Sequence, residues 1–222
     1  SINSVALICQ ETGANIQEVS KAIGSDSRIG KYFLEPGPGF GGSCFKKDIL
    51  NLVYLAEYFG LPEVASFWNG VVELNKWHQH RISKLVTKKL FGTLAEKKII
   101  ILGFSFKANT NDTRESAAIQ ICKDLIEEGA KLCIHDPKVS LEQISIDLNL
   151  KPYEEISDNK TDENFGHLGN WQFMKSLKSF EDAHAVLVLT EWEEYTLINW
   201  DLAAEEMVNT GWVFDARSIL DT

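Results

Sequence analysis

The sequence predicts an α/β protein in two parts, an all-helical region with one long linking helix followed by a Rossmann-like, mostly parallel sheet. Three observations predict it. Apolar residues recur at helical spacing through residues 1–93, including an unbroken pattern from Pro62 to about Phe91. From Lys97 onward, short β-branched apolar runs alternate with helical patterns, which implies right-handed strand-helix-strand units. Within the helical part, Gly39, Gly41 and Gly42, which have no β-carbon, lead up to a helix start at Cys44 and permit close approach to the backbone. The division between the two domains is placed between residues 93 and 94.

Ile2, Val5, Ala6 and Cys9 give a first helix over Ser1–Gln10 with no start signal before it, so the chain is expected to begin inside an element. Gly13 ends that helix, and a second over Ile16–Ile23 is closed by Gly24. Ser25–Gly30 is a polar loop whose strong cation is Arg28; taken alone, it reads as a solvated charge. Tyr32-Phe-Leu-Glu-Pro-Gly-Pro-Gly39 cannot be helical and forms a stiff extended arm.

Phe45–Phe59 reads as a helix through Leu50, Val53, Leu55 and Phe59, which puts Cys44 at its N-terminus. Orphan N–H groups and the positive end of the helix dipole favour a thiolate there, and Lys46 and Lys47 add cationic field. Asp48, four residues on, shares the face of Cys44 and is placed to orient a water or a lysine beside the sulfur. These residues leave two readings of Cys44: an activated nucleophile, or a small buried hydrophobe.

Pro62 suits the first turn of the next helix, which runs to about Phe91, some 45 Å at the standard rise. Carrying Trp68 and Trp77, it is too long and apolar for this chain alone to cover. Strands are expected at Lys97–Gly103, Lys131–His135, Ala185–Leu189 and Trp212–Asp215, with helices at about Arg114–Glu128 and over Glu191–Met207. Between Val139 and Ser179 the pattern is weak, and Asp158–Gly169 reads as a surface loop or insertion. His135-Asp-Pro137 is read as a turn after a strand.

Ligands of open parallel sheets bind beyond the carboxyl ends of the strands. Lys107, Arg114 and Arg217 are all expected on that rim, a cationic set suited to phosphate or carboxylate.

Composition narrows the function classes. The chain of 222 residues is 44% apolar and 24% charged, ordinary for a soluble globular protein. A net charge of −10 argues against a nucleic-acid partner, and no apolar run is long enough to span a membrane. The opening residues lack the features of a secretory signal. Cysteines at 9, 44, 122 and 133 have no metal-ligand spacing, so no metal is expected; they read as mostly buried thiols in a reducing compartment, the cytoplasm.

Phe40-Gly-Gly-Ser-Cys-Phe-x-Lys-Asp48 and Leu50-Asn-Leu-Val-Tyr54 resemble the active-cysteine segment of the nucleotide-sugar dehydrogenases. Gly60-Leu-Pro-Glu-Val64, Gly103-Phe-Ser-Phe-Lys-Ala108 and Asn111-Asp-Thr-Arg-Glu-Ser116 extend the resemblance over nearly the whole chain, most weakly at 150–178. The resemblance implies NAD-dependent four-electron oxidation of UDP-glucose to UDP-glucuronate. In that scheme Cys44 holds the sugar as a thiohemiacetal and then a thioester, while Asp48 assists water.

It further implies substrate contacts from Arg28, reaching the neighbouring subunit's site, from the arm Glu35, Pro36, Gly37, Pro38, Gly39, Phe40 and Gly41 through its backbone, and from Lys107 and Arg217. Cys44, Lys47 and Arg114 would approach the cofactor, residues 94–222 would bind the UDP-sugar, and residues 1–93 would form a homodimer or larger homo-oligomer. Gly103-Phe-Ser-Phe-Lys107 is not the Gly-x-Gly-x-x-Gly dinucleotide fingerprint, and the family's amino-terminal cofactor domain has no counterpart. The chain is therefore expected to be a carboxy-terminal part that transfers no hydride alone. Two alternatives stand: action on another nucleotide sugar such as GDP-mannose, or a non-catalytic oligomerisation or nucleotide-sugar-binding module.

Overall fold

The computed structural model describes residues 2–153, 170–177 and 179–220; the stretch Asp158–Gly169, read above as a surface loop, lies outside them. Helix α1 spans Ile2–Thr12, α2 Ile16–Gly24, α3 Phe45–Tyr58 and α4 Pro62–Lys89. Local chemistry sets their limits. The Asn15 side chain accepts from Gln17 N at 2.8 Å to start α2. Pro62 occupies the first turn of α4, and Lys88 and Lys89 lie in its last turn, where cations complement the dipole.

The second part contains β1 Lys98–Leu102, α5 Ala117–Glu127, β2 Lys131–His135, α6 Leu141–Leu148, β3 Trp171–Phe173, β4 Ala185–Val188, α7 Glu193–Thr196, α8 Trp200–Glu206 and β5 Trp212–Asp215. The strands form one sheet in the order β3-β2-β1-β4-β5, and every pairing is parallel. Register is set by alternation. Ile99 and Ile101 face one layer with Val86, Leu90, Ile121, Leu125 and Ile144, whereas Ile100 and Leu102 face the other with Trp192, Tyr195, Ala203 and Met207. The last turns of α4 therefore belong to the core of the sheet, so the long helix couples the two halves rigidly.

Four expectations are corrected. β3, three residues long, was hidden in the weak stretch, as was α6, which is capped by Ser140 and ended by left-handed Asn149. The helical pattern over Glu191–Met207 divides into α7 and α8, because Asn199 caps a new start by accepting from Leu202 N. Arg114 lies before α5, not on it: Ser116 is the N-cap, accepting from Ala118 N. Among the described residues no helix is long and apolar enough to cross a membrane.

Candidate active site at the docked cysteine loop

The arm is fastened to the helices beneath it. Gly37 N donates to Asn3 Oδ1 at 3.0 Å, and His78 Nε2 donates to Gly37 O at 3.0 Å. Asn75 closes a two-bond ring with the main chain of Phe40, accepting from its N at 2.9 Å and donating to its O at 3.1 Å. The expectation that Glu35–Gly41 offers its backbone to a ligand is thus narrowed. Gly37 and Phe40 are already engaged, and Pro36 and Pro38 have no N–H, which leaves the N–H groups of Glu35, Gly39 and Gly41 without a bond among the described residues.

Beyond the arm, the glycines dock the loop onto the sheet domain. A β-carbon on Gly41 would stand 2.5 Å from Glu115 O and 3.0 Å from Phe106 Cβ. Gly42, at φ +86°, donates to Arg114 O at 2.8 Å and lies on the Phe106 ring. Cys44 follows as the N-cap of α3 and is exposed, with Ser43 Oγ 3.5 Å from Sγ. Cys9, Cys122 and Cys133 are buried. Lys46, read as part of the cationic field, is paired with Glu115 at 2.7 Å and so braces the dock instead. Lys47 and Asp48 are exposed on the first turns of α3.

The docked loop faces the reversal of strand order between β1 and β4, where a parallel sheet opens its ligand crevice. The segment after β1 is held from beneath by buried Asp136. Its Oδ2 accepts from Phe104 N, Ser105 N and the Trp192 indole at 2.7, 3.0 and 3.3 Å, and its Oδ1 accepts from Lys138 N and Val139 N. His135 contacts Tyr195 OH at 3.1 Å. The motif His135-Asp-Pro137 is therefore a structural turn that holds the crevice loop.

Arg217 crosses the crevice. Its Nε donates to Leu189 O and its Nη2 to Phe106 O, both at 2.9 Å; Nε also pairs with Glu191 at 3.1 Å, and Nη1 lies 3.1 Å from where a β-carbon on Gly37 would be. Lys107 is exposed over the Phe106 ring. Arg114 forks onto Asp112 at 2.7 and 2.9 Å; this pair raises the guanidinium, with Cys44 adding to the effect, and holds Asp112 below the usual carboxylate range. Arg28 is exposed and forks onto Asp26, two residues back in its own loop.

The structure thus gathers Cys44, Asp48, Lys47, the arm, Lys107, Arg114 and Arg217 about the docked loop and Phe106, and pairs Arg28 with Asp26 of its own loop. Residue-by-residue reading passed over Phe106, Asn75, Glu115 and Glu191. Phe106 and Glu115 stood inside recognised motifs, whereas Asn75 and Glu191 gave no signal, because their roles depend on side chains meeting main chain far away in sequence.

Two histidines link this site to pH. Burial pushes His78 below the usual 6.5, reinforced by Arg81 and opposed by its bond to Gly37 O, and burial likewise lowers His135, with Asp136 opposing. A histidine lowered on folding stays neutral while the unfolded chain takes up a proton, so its contribution is complete above about pH 6.5 and is lost as pH falls towards the folded value. The melting temperature is expected to be level above about pH 7 and to fall as pH drops below about 6.5, less steeply in the double variant His78→Gln, His135→Gln. A curve of equal slope in both proteins defeats this assignment.

The arrangement is that of a Rossmann-like α/β domain with a thiol-bearing helical segment docked on its ligand edge. Residues 100–222 match the UDP-binding domain, and residues 1–77 the central domain, of the UDP-glucose/GDP-mannose dehydrogenase family. The chain belongs to that family. It is 43% identical over 221 residues to a UDP-glucose 6-dehydrogenase of Drosophila melanogaster, covering all of this chain and 45% of the fly protein. A UDP-glucose 6-dehydrogenase of Caenorhabditis elegans is 44% identical over 225 residues, with 44% of its length covered. The solved structure of a UDP-glucose dehydrogenase from Pyrobaculum islandicum superposes with a TM-score of 0.76 at 27% identity, covering 98% of this chain and 44% of that one. The chain thus spans under half the length of these relatives.

Proposed function

We propose that this chain is the substrate-trapping part of an NAD-dependent UDP-glucose 6-dehydrogenase, with residues 1–93 as its central unit and residues 94–222 as its UDP-sugar-binding unit. The observation that carries the reading is an exposed Cys44 at a helix start, docked through Gly41 and Gly42 against a crevice lined by Lys107 and Arg217. The names of the fly and worm relatives support the substrate.

In this mechanism the pyrophosphate lies along the crevice between Lys107 and Arg217, and the free N–H groups of Gly39 and Gly41 direct the sugar towards Cys44. Cys44 Sγ adds to the C6 aldehyde carbon, forming a C–S bond as the carbonyl electrons move to oxygen, and so keeps the reactive aldehyde bound as a thiohemiacetal. The thioester left by the second oxidation is opened by water. Asp48 takes the water proton, and the C–S bond breaks to return the thiolate and release the carboxylate.

NAD, when bound, supplies the hydride acceptor for both oxidations. Lys47 and Arg114 beside the thiol fit a phosphate-bearing cofactor, but the described residues include no Gly-x-Gly-x-x-Gly fingerprint for the rest of it, so Cys44, Lys47 and Arg114 would form one edge of that site.

A homodimer through the central helices is supported by the apolar surface they expose: Tyr54, Tyr58 and Phe59 on and just after α3, and Phe67, Leu74 and Trp77 on α4. Arg28, exposed and paired only with Asp26 of its own loop among the bonds of the described residues, is assigned to a neighbouring subunit's site by the family resemblance. Four unpaired cysteines fit a reducing, cytoplasmic setting.

Calorimetric titration with UDP, UDP-glucose and GDP-mannose tests the substrate assignment. Uridine ligands are expected to bind at least about tenfold more tightly than GDP-mannose, a difference of about 1.4 kcal/mol. Preference for the guanosine ligand would transfer the assignment to another nucleotide sugar.

A further inference from the structure

The crevice contains an acid as well as cations. Glu191 Oε1 accepts from Ala108 N at 3.1 Å, and Glu191 Oε2 pairs with Arg217 Nε at 3.1 Å without the geometry of a hydrogen bond. A carboxylate at a site for a pyrophosphate repels the ligand unless it serves the cation that binds it. Arg217 needs such service, since its side chain is only 18% exposed. A buried guanidinium is costly without a counter-charge, and burial does lower it, with Glu191 and then Glu35 opposing.

The other bonds of Arg217 decide which part of it a ligand meets. Nε and one N–H of Nη2 are occupied by Leu189 O and Phe106 O, whereas Nη1, against Gly37, makes no hydrogen bond among the described residues. We propose that Glu191 is a positioning residue for anion recognition: it anchors Arg217 across the crevice so that Nη1 is presented to the ligand. Through Ala108 N the same carboxylate holds the end of the loop that carries Phe106 and Lys107. Glu191 thereby ties both cations of the crevice to the end of β4. The inference rests on the reading of this crevice as the UDP site, and it adds a residue that acts without touching the ligand.

Glu191→Gln, Arg217→Lys and the double variant provide the test. In the unaltered chain, the Arg217 Nε–H resonance, identified by its loss in Arg217→Lys, is expected to be sharp and slow to exchange with water; in Glu191→Gln it is expected to broaden or vanish. UDP affinity is expected to fall about tenfold in Glu191→Gln, and Glu191→Gln is expected to cost little more once Arg217 is lysine. UDP binding that is unchanged or tighter in Glu191→Gln makes Glu191 a mere counter-charge and overturns the proposal. Independent, additive losses reduce it to a structural residue and overturn it equally. If the unaltered chain takes up no UDP, the reading of the crevice fails, and the Nε–H signal alone decides the positioning: its persistence in Glu191→Gln overturns that as well.

Discussion

Cys44→Ala is expected to leave the fold intact, remove the fast-reacting thiol of the chain, and lower UDP-glucuronate formation at least about a thousandfold when the chain is combined with a cofactor-binding domain. Retention of the fold follows from position: Cys44 is exposed and makes no side-chain cap, so alanine removes neither a core contact nor a capping bond of α3. Loss of the fast thiol follows from contrast, because Cys9, Cys122 and Cys133 are 5%, 0% and 3% exposed. Burial also raises the Cys122 and Cys133 thiols and so withholds the reactive thiolate. In native buffer, iodoacetamide should therefore modify one thiol quickly, and four only after denaturation. The loss of turnover follows from the chemistry, since without the sulfur an aldehyde is released in place of a thiohemiacetal and the second oxidation has no bound substrate. Rapid alkylation that persists in Cys44→Ala, or UDP-glucuronate formation within tenfold of the unaltered chain, would defeat the nucleophile assignment.

What the sequence disclosed, and what it withheld, follow one physical division. Elements governed by local periodicity were legible: α1, α2, α3 and α4 end within a few residues of where glycine, proline and apolar spacing place them, as do β1, β2, β4 and β5. β3 was not legible, because three residues cannot display a period and its place is set by pairing to β2. The break between α7 and α8 was hidden because apolar spacing continues across Asn199, whose cap outweighs it. Within the site, Cys44 and the glycines were legible because backbone freedom and a helix start are local properties. Whether Lys46 serves the thiol or braces the dock depended on Glu115, 69 positions away, and no local rule could select between them. Arg217 was read as a cation for a ligand. The structure makes it first a crossbar between Leu189, Phe106 and the Gly37 arm, a role visible only once the strand order is known.

Gly103→Ala is expected to be the most destabilising single-methyl change in the sheet domain, by about 3–5 kcal/mol. Gly103 ends β1 at φ +94°, where a β-carbon is strained by itself, and that carbon would lie 2.3 Å from Thr190 Cβ, 2.5 Å from its Oγ1 and 2.7 Å from its N. Rotating the threonine cannot relieve this clash, because its main chain is also too close. Thr190 is wholly buried, and its Oγ1 donates to Ser105 O at 2.7 Å, so displacing it opens the loop that Asp136 holds from below. Phe106 and Lys107 lie just beyond, so the crevice is lost together with stability. Gly13→Ala is the matched control: Gly13 has φ +75°, but nothing lies within 4 Å of its β-carbon position, so it carries the backbone penalty of about 1 kcal/mol without a clash. Thermal melts of the two variants separate the terms. Gly103→Ala is expected to melt roughly 10 °C lower than the unaltered chain and to lose UDP binding, Gly13→Ala only a few degrees lower with binding retained. Equal shifts would mean that β1 and β4 can move apart at this point, and the crevice could not then be the rigid mouth that the bonds of Arg217 and Asp136 require.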